Sequence, residues 1–121
     1  MLNRRQKGSL SEDLAVGFLK QHGLQVLARN VRCPLGEIDL IARDGKTWVF
    51  VEVKSRFASG YGLPQELVSH SKQRRLTRLA QWYMKQHRLE NQPARFDVIA
   101  ITWPDGRPEI TWIPNAFEAH D

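Results

Sequence analysis

The order of periodic segments in this sequence predicts an α/β fold with a mixed central sheet flanked by helices. Segments with helical spacing and segments with strand-like alternation follow one another as helix, three strands, helix, two strands. The chain has 121 residues and one cysteine, and at this length one core folds without disulfides. We therefore expect a single domain over residues 10–121, preceded by a flexible basic arm over residues 1–9.

Two segments are predicted to be helices from the spacing of their apolar residues. The first runs from about residue 11 to 22, since Ser9 or Ser11 can cap its start and Gly23 stands where a helix would stop. The second covers residues 71–88 and carries an inner apolar stripe that consists of Leu76, Leu79, Ala80, Tyr83 and Met84. Each helix therefore has one face to bury against the sheet.

The predicted strands alternate in polarity or are rich in β-branched and aromatic residues. They cover residues 26–31, 37–43, 47–54, 95–102 and 109–113. Asp44-Gly45 is typical of a hairpin, whose loop has either two residues, 44–45, or four, 44–47. A glycine-rich loop is predicted over residues 55–64.

The charge balance favours a polyanionic partner. Lysine and arginine number 18 against 13 acidic residues, which gives a formal net charge of +5. An ordinary basic surface is compatible with the same numbers. No apolar run has the length of a membrane span and no secretory leader is recognisable, so we expect a cytoplasmic protein without a membrane partner.

Charges on the second and third predicted strands are the most informative feature for function. Because side chains alternate along a strand, one face of the third strand consists of Trp48, Phe50, Glu52 and Lys54. Either hairpin loop brings Asp39 of the second strand to that face. A two-residue loop places Asp39 diagonal to Glu52, and a four-residue loop places it directly opposite.

The aromatic residues beside these charges are expected to belong to the core. Trp48 and Phe50 are predicted to lie buried under the first helix, near Leu14 and Phe18. Such packing would hold the neighbouring carboxylates rigidly.

Two carboxylates about 5 Å apart on a sheet face repel each other unless a cation lies between them. Hard oxygen ligands without histidine or cysteine suit Mg²⁺ or Mn²⁺, completed by waters and a substrate phosphate. Lys54 can hold that phosphate or orient the attacking water. The same spacing is equally compatible with a buried ion pair between Glu52 and Lys54 beside an exposed Asp39.

Two helix residues have a functional and a structural interpretation each. Glu12 lies at the rim of the first helix's apolar face and can point toward the sheet, but with Ser9 as N-cap it would complete a capping box. Lys72 is in line with the inner stripe of the second helix, where it can contact a phosphate or extend to solvent.

The segments G36-E-I-D-L-I-A and F50-V-E-V-K54 resemble the core motif of the PD-(D/E)XK, or restriction-endonuclease-like, phosphodiesterase superfamily. More closely, the chain resembles the YraN-like family of small bacterial predicted endonucleases, which is related to archaeal Holliday junction resolvases. The resemblance runs from residue 10 onward and includes S11-E-D-L-A, N30-V-R, G62-L-P-Q-E-L-V, Lys72, R95-F-D-V and N115-A-F. It departs from the expected pattern at Ser11, where a glycine is expected.

The resemblance implies an αβββαβ core and a Mg²⁺-dependent or Mn²⁺-dependent endonuclease that acts on DNA, including branched or structured DNA in repair or recombination. It implies that Asp39 and Glu52 bind the metal and that Lys54 assists the water. Glu12 and the backbone carbonyl of Val53 would be further ligands. The alternative is a non-catalytic DNA-binding or scaffolding module with the same fold. RNA as a substrate and a homodimer are left open.

Basic residues of the arm and the second helix are predicted to contact DNA phosphates as a group, since any single one of them is more often an ordinary solvated charge. They are Arg4, Arg5, Lys7, Lys72, Arg74, Arg75 and Arg78.

Overall fold

The computed structural model describes residues 3–56 and 68–120. Its elements are α1 (Arg4–Gln21), β1 (Gln25–Cys33), β2 (Gly36–Asp44), β3 (Thr47–Arg56), α2 (His70–Gln86), β4 (Ala94–Thr102) and β5 (Glu109–Phe117). The predicted order of helices and strands is confirmed. Most of the predicted glycine-rich loop, and the G62-L-P-Q-E-L part of the family motif, lie outside the described residues.

Helix α1 begins earlier than the apolar pattern predicts. Its N-cap is Asn3, whose side chain accepts a hydrogen bond from the Gln6 amide at 2.9 Å, while the Gln6 side chain accepts from the Asn3 amide at 3.0 Å. This reciprocal capping satisfies two amides that a helix start would otherwise leave free. Residues 4–9 are therefore helical, which corrects the prediction of a flexible arm.

The five strands form one mixed sheet in the order β1-β2-β3-β4-β5. Only β3 and β4 pair in parallel, and every other neighbouring pair is antiparallel. Parallel neighbours need a crossover connection, and α2 lies in that connection.

A different helix covers each face of the sheet, and the side chains of β3 show which. Val49 and Val51 pack in one cluster with Ala15 and Leu19 of α1. On the opposite face Phe50 packs in the other cluster, which includes the buried residues of α2. The predicted inner stripe of α2 is confirmed, because Leu76, Leu79, Ala80, Tyr83 and Met84 are all buried.

The predicted position of the two aromatic residues of β3 is wrong. Trp48 and Phe50 lie beside Tyr83 of α2, with ring centroids 6.3 and 5.9 Å away, whereas Leu14 and Phe18 pack on the other face. Phe50 is buried as predicted, and Trp48 is partly buried. Alternation identifies residues that share a face, but the handedness of the crossover decides which helix covers that face.

Neither of the two helices in the described part of the chain has the length and apolar character that crossing a bilayer requires.

Candidate active site

The register of the β2–β3 hairpin places the two predicted carboxylates opposite each other. Asp44 pairs with Thr47 around the turn Gly45-Lys46, and the ladder continues to Leu40 opposite Val51. The next position in this register sets Asp39 directly across from Glu52. The turn consists of residues 45–46, whereas the predicted loops were residues 44–45 or 44–47. Its register is nevertheless the one predicted for the four-residue loop, with Asp39 directly opposite Glu52.

Asp39 lies where the regular pairing of β2 with β3 ends. One of its carboxylate oxygens, Oδ2, accepts a hydrogen bond from the backbone N–H of Val53 at 2.9 Å. Burial, followed by the charge of Glu52, raises the pKa of Asp39 to about 7, and Glu12 adds to the effect. The Val53 N–H and Lys72 act in the opposite direction without cancelling it. The fold therefore holds the Asp39 carboxyl group beside Glu52, where ionisation of Asp39 is unfavourable.

Glu52 is only 5% exposed and forms ion pairs with two lysines. Lys72 Nζ lies 2.6 Å from its Oε1, and Lys54 Nζ lies 4.0 Å from the same atom. Burial alone would lower the pKa of Lys72, but its hydrogen bond to Glu52 and the charge of that carboxylate outweigh burial and raise it. Lys72 thus points into the cleft, and the predicted ion pair of Glu52 with Lys54 is the longer of the two contacts.

Glu12 is held at the edge of this region by β1. Its Oε1 accepts a hydrogen bond from Asn30 Nδ2 at 3.0 Å and lies 3.6 Å from Arg29 Nη2. Because Asn3 caps α1, the capping-box interpretation of Glu12 is wrong. Arg29 and Asn30 were not predicted as partners of Glu12. The signal that the sequence offered was the N30-V-R segment of the family resemblance. In the structure Asn30 has a φ of 51°, a conformation in which asparagine is enriched.

The acidic cleft is the space between β2, β3 and the first turns of α2. It is lined by Gly36, Glu37, Asp39, Glu52, Lys72, Arg75, Leu76 and Leu79. Leu35, Ser71, Arg74, Arg75 and Arg78 line a second depression, the arginine groove. Arg75 belongs to both, so the cleft and the groove adjoin.

The remaining predicted phosphate contacts lie on α1. Arg5 is exposed on this helix, whose buried face packs on the other side of the sheet from α2. The side chains of Arg4 and Lys7 are outside the part of the chain that the structure describes. The α2 members of the predicted group thus line the cleft or the adjoining groove, and contact with phosphates stays a prediction for every member.

Residues 11–101 match the family described as "Uncharacterised protein family UPF0102". This chain belongs to that family. It is 51% identical to a UPF0102 protein of Geobacter metallireducens over 118 residues, which covers 97% of this chain and 96% of that protein. It is 49% identical to UPF0102 protein STH1475 of Symbiobacterium thermophilum over 116 residues, with 95% and 98% coverage. The family resemblance stated from the sequence is thus confirmed.

A comparison with solved structures found SfsA of Pyrococcus furiosus in complex with Ca²⁺, with a TM-score of 0.42 and 14% sequence identity. The match covers 94% of this chain and 64% of that one, so this chain spans less than two thirds of that protein's length.

The UPF0102 match includes every residue of the acidic cleft, whose ligand chemistry fits a hard divalent cation. Asp39 and Glu52 provide two carboxylates on adjacent strands, which is the number that Mg²⁺ takes when waters and phosphate complete its shell. Within residues 3–56 and 68–120 no group of three or more His, Cys, Asp or Glu side chains is placed to hold a metal. Two carboxylates would leave most of the coordination shell of such a cation to waters and other oxygen ligands.

Asp97 is a second buried acid of this UPF0102 chain, with a different environment. Its carboxylate accepts hydrogen bonds from Arg95 Nε at 3.0 Å, Arg95 Nη2 at 3.2 Å, Trp112 Nε1 at 3.0 Å and the Asn115 amide at 2.9 Å. Arg95 also reaches Asp44 at 2.9 Å. Asp97 therefore joins β4 to β5 and, through Arg95, to the end of β2.

Proposed function

We propose that this protein is a divalent-metal-dependent phosphodiesterase, an endonuclease that acts on DNA. The observation that carries the proposal is the acidic cleft, where Asp39 faces Glu52 while Lys54 and Lys72 lie within 4.0 Å of the Glu52 carboxylate. Two acids and two ammonium groups meet on one sheet face. Metal-assisted phosphodiester hydrolysis uses both, because acids hold the metal and cations hold the phosphate.

In this proposal Asp39 and Glu52 hold Mg²⁺ or Mn²⁺, with the Val53 carbonyl as a further ligand. Glu12 would become a ligand by turning from Asn30 and Arg29, since the three acids are not grouped for a metal as they stand. When bound, the cation supplies a water of lowered pKa and neutralises charge that develops on the phosphate. Lys54 orients the attacking water, and Lys72 leaves Glu52 to contact a substrate phosphate. Lys72 is suited to this change of partner because it now pairs with Glu52, and a metal bound to that carboxylate would take the place of the lysine.

The proposed substrate class follows from the groove beside the cleft. Arg74, Arg75 and Arg78 are exposed on α2 and line it together with Ser71, so a phosphate backbone that enters the cleft would continue along three guanidinium groups. Neutralising these three arginines should weaken DNA binding and flatten its salt dependence by about one counterion per lost contact. An unchanged salt slope would contradict the proposed path.

Cleavage assays test the proposal directly. The purified protein is incubated with Mg²⁺, Mn²⁺ or EDTA and with labelled linear, flapped and four-way DNAs and matched RNAs. We expect metal-dependent cleavage of at least one DNA, lost in Glu52→Gln and Lys54→Ala and retained in Glu109→Gln, which removes an exposed carboxylate at the start of β5. Cleavage that persists in Glu52→Gln, or cleavage of RNA alone, would overturn the proposal as stated.

A non-catalytic DNA-binding module is the second candidate, and one observation favours it. Lys72 already neutralises Glu52 at 2.6 Å, which leaves one carboxylate less available to a metal. Such a module would bind the same DNAs in EDTA and in Mg²⁺ with equal affinity and would show no cleavage. Mg²⁺ would add no rise in melting temperature beyond the rise that DNA alone causes.

A further inference from the structure

Leu35 is an apolar residue where a turn usually carries polar ones. It is 55% exposed, and the only other large hydrophobic residue of comparable exposure in the described part of the chain is Leu27, at 40%. Single exposed leucines are common on protein surfaces, so exposure by itself indicates nothing. The surroundings of Leu35 distinguish it.

The turn that carries Leu35 is held in place. Cys33 pairs with Gly36, so β1 and β2 are joined by the two residues Pro34-Leu35. Proline fixes one backbone angle of the turn, and Gly36 has a φ of 148° that other residues rarely adopt. A Cβ at Gly36 would lie 3.7 Å from Leu79 Cδ1, which places this end of the hairpin against α2. Leu35 is therefore presented at a fixed position rather than on a free loop.

Positive charge surrounds this leucine. Leu35 lines the arginine groove together with Arg74, Arg75 and Arg78. Within the described part of the chain, none of these three arginines forms an ion pair. Leu35 also lines a second depression, together with Arg32 and Glu37, so it belongs to two depressions. Arg75 and Glu37 continue from here into the acidic cleft.

We infer that Leu35 is an apolar wedge that enters an opened base step of branched or distorted DNA, while the arginines beside it hold the flanking phosphates. The inference rests on the proposed function and names its substrate class. Phosphate contacts carry no information about the structure or sequence of the bases. An aliphatic side chain has no hydrogen bond to offer a base edge, so it recognises a step that is already unstacked rather than a sequence.

The energetics favour branched DNA over intact duplex. Inserting an apolar side chain between stacked base pairs requires unstacking, which costs a few kcal/mol for each step. At a junction, flap or mismatch the bases are already partly unstacked, so insertion requires less unstacking free energy and burial of Leu35 is favourable overall. A protein partner fits less well, because its apolar contact with Leu35 would have to bury three guanidinium groups beside it.

The test measures binding in EDTA, where no cleavage occurs. Wild type, Leu35→Ala and the matched control Leu27→Ala are titrated against a four-way junction, a flap and a linear duplex of equal length. We expect Leu35→Ala to weaken junction and flap binding by about fivefold to tenfold and duplex binding by less than twofold. The salt slope should not change, because no charge is removed. A 2-aminopurine at the branch should brighten with wild type and with Leu27→Ala, but much less with Leu35→Ala.

The outcomes separate the wedge from the proposed nuclease activity. Equal binding by wild type and Leu35→Ala, or equal weakening on all three DNAs, overturns the wedge and leaves cleavage to be judged by its own assay. A shift in oligomeric state with unchanged DNA binding also overturns it and assigns Leu35 to a protein interface. If wild type cleaves no DNA yet shows the expected binding pattern, the wedge stands and the catalytic proposal falls. Wild type that binds none of the DNAs in EDTA overturns the wedge, and cleavage is still judged in Mg²⁺ by its own assay.

Discussion

Asp97 and Asp39 both lie on the central sheet, yet their surroundings are opposite. Asp97 is fully buried at 0% exposure and accepts four hydrogen bonds, two of them from the guanidinium of Arg95. Asp39 accepts one from the Val53 amide and faces a second acid, Glu52. Asp97 is thus surrounded by hydrogen-bond donors, whereas Asp39 has a single donor and a neighbouring acid.

These environments distinguish a carboxylate that stabilises the fold, Asp97, from one that lies in the acidic cleft, Asp39. A buried carboxylate with an arginine and several N–H donors is neutralised by the fold itself and contributes to its stability. A carboxylate placed beside another acid raises the free energy of the folded protein and gains from any cation that binds there. Substitutions at these acids should therefore change stability in different directions.

The largest effect is expected for Asp97→Asn. This substitution leaves the buried side of Arg95 without its carboxylate and should lower the free energy of unfolding by about 3 kcal/mol. For a chain of this size that corresponds to a fall in melting temperature on the order of 10 °C. Asp105→Asn, an exposed aspartate in the β4–β5 turn, serves as control and should melt like wild type. A small effect of Asp97→Asn would show that this carboxylate does not stabilise the fold.

Glu52→Gln should be the next largest, also destabilising in the absence of metal. It removes the carboxylate that pairs with Lys72 at 2.6 Å and should cost about 1–2 kcal/mol at pH 8 in EDTA. The double variant Glu52→Gln, Lys72→Met should lose less than the sum of the two single variants if this pair is the cause. Additive losses in urea unfolding would show that the cost lies elsewhere.

Asp39→Asn should have the opposite sign, and its effect should depend on pH. The pKa of Asp39 is raised from 3.8 to about 7, so the folded protein holds a proton that the unfolded chain releases. Wild type therefore loses stability as pH rises from about 4 to 7 and does not recover it above 7. The asparagine variant has no such penalty and should exceed wild type by about 1–2 kcal/mol at pH 8, with the difference vanishing toward pH 4.

Urea unfolding in EDTA at several pH values measures this difference. Asparagine can still accept the Val53 N–H, so the hydrogen bond itself should not obscure the result. A variant that is less stable than wild type at pH 8 would show that the two carboxylates do not oppose folding.

The smallest stability change is expected for Glu12→Gln. Its ion pair with Arg29 is long and partly exposed, so its loss should cost less than about 0.5 kcal/mol. If Glu12 also contributes to the metal site, the rise in melting temperature caused by Mg²⁺ with DNA should be smaller in the variant. An unchanged rise would limit the site to Asp39, Glu52 and the Val53 carbonyl.

Local periodicity was enough to predict the parts of this protein that depend on neighbours along the chain. Alternation with a period of two placed Asp39 and Glu52 on one face, and both predicted loops led to that result. The inner stripe of α2 followed from helical spacing in the same way. The start of α1 was missed because a cap, not apolar spacing, determines it.

Only the tertiary structure decided which elements face one another. The covering of Phe50 by α2, the pairing of Lys72 with Glu52 and the contact of Glu12 with Asn30 each join residues at least 18 positions apart. The donors around Asp97 include Trp112 and Asn115, brought there by a β4–β5 ladder whose register shifts between Phe96 and Val98. Such contacts depend on crossover handedness, register and the packing of whole elements, which no local pattern of residues records.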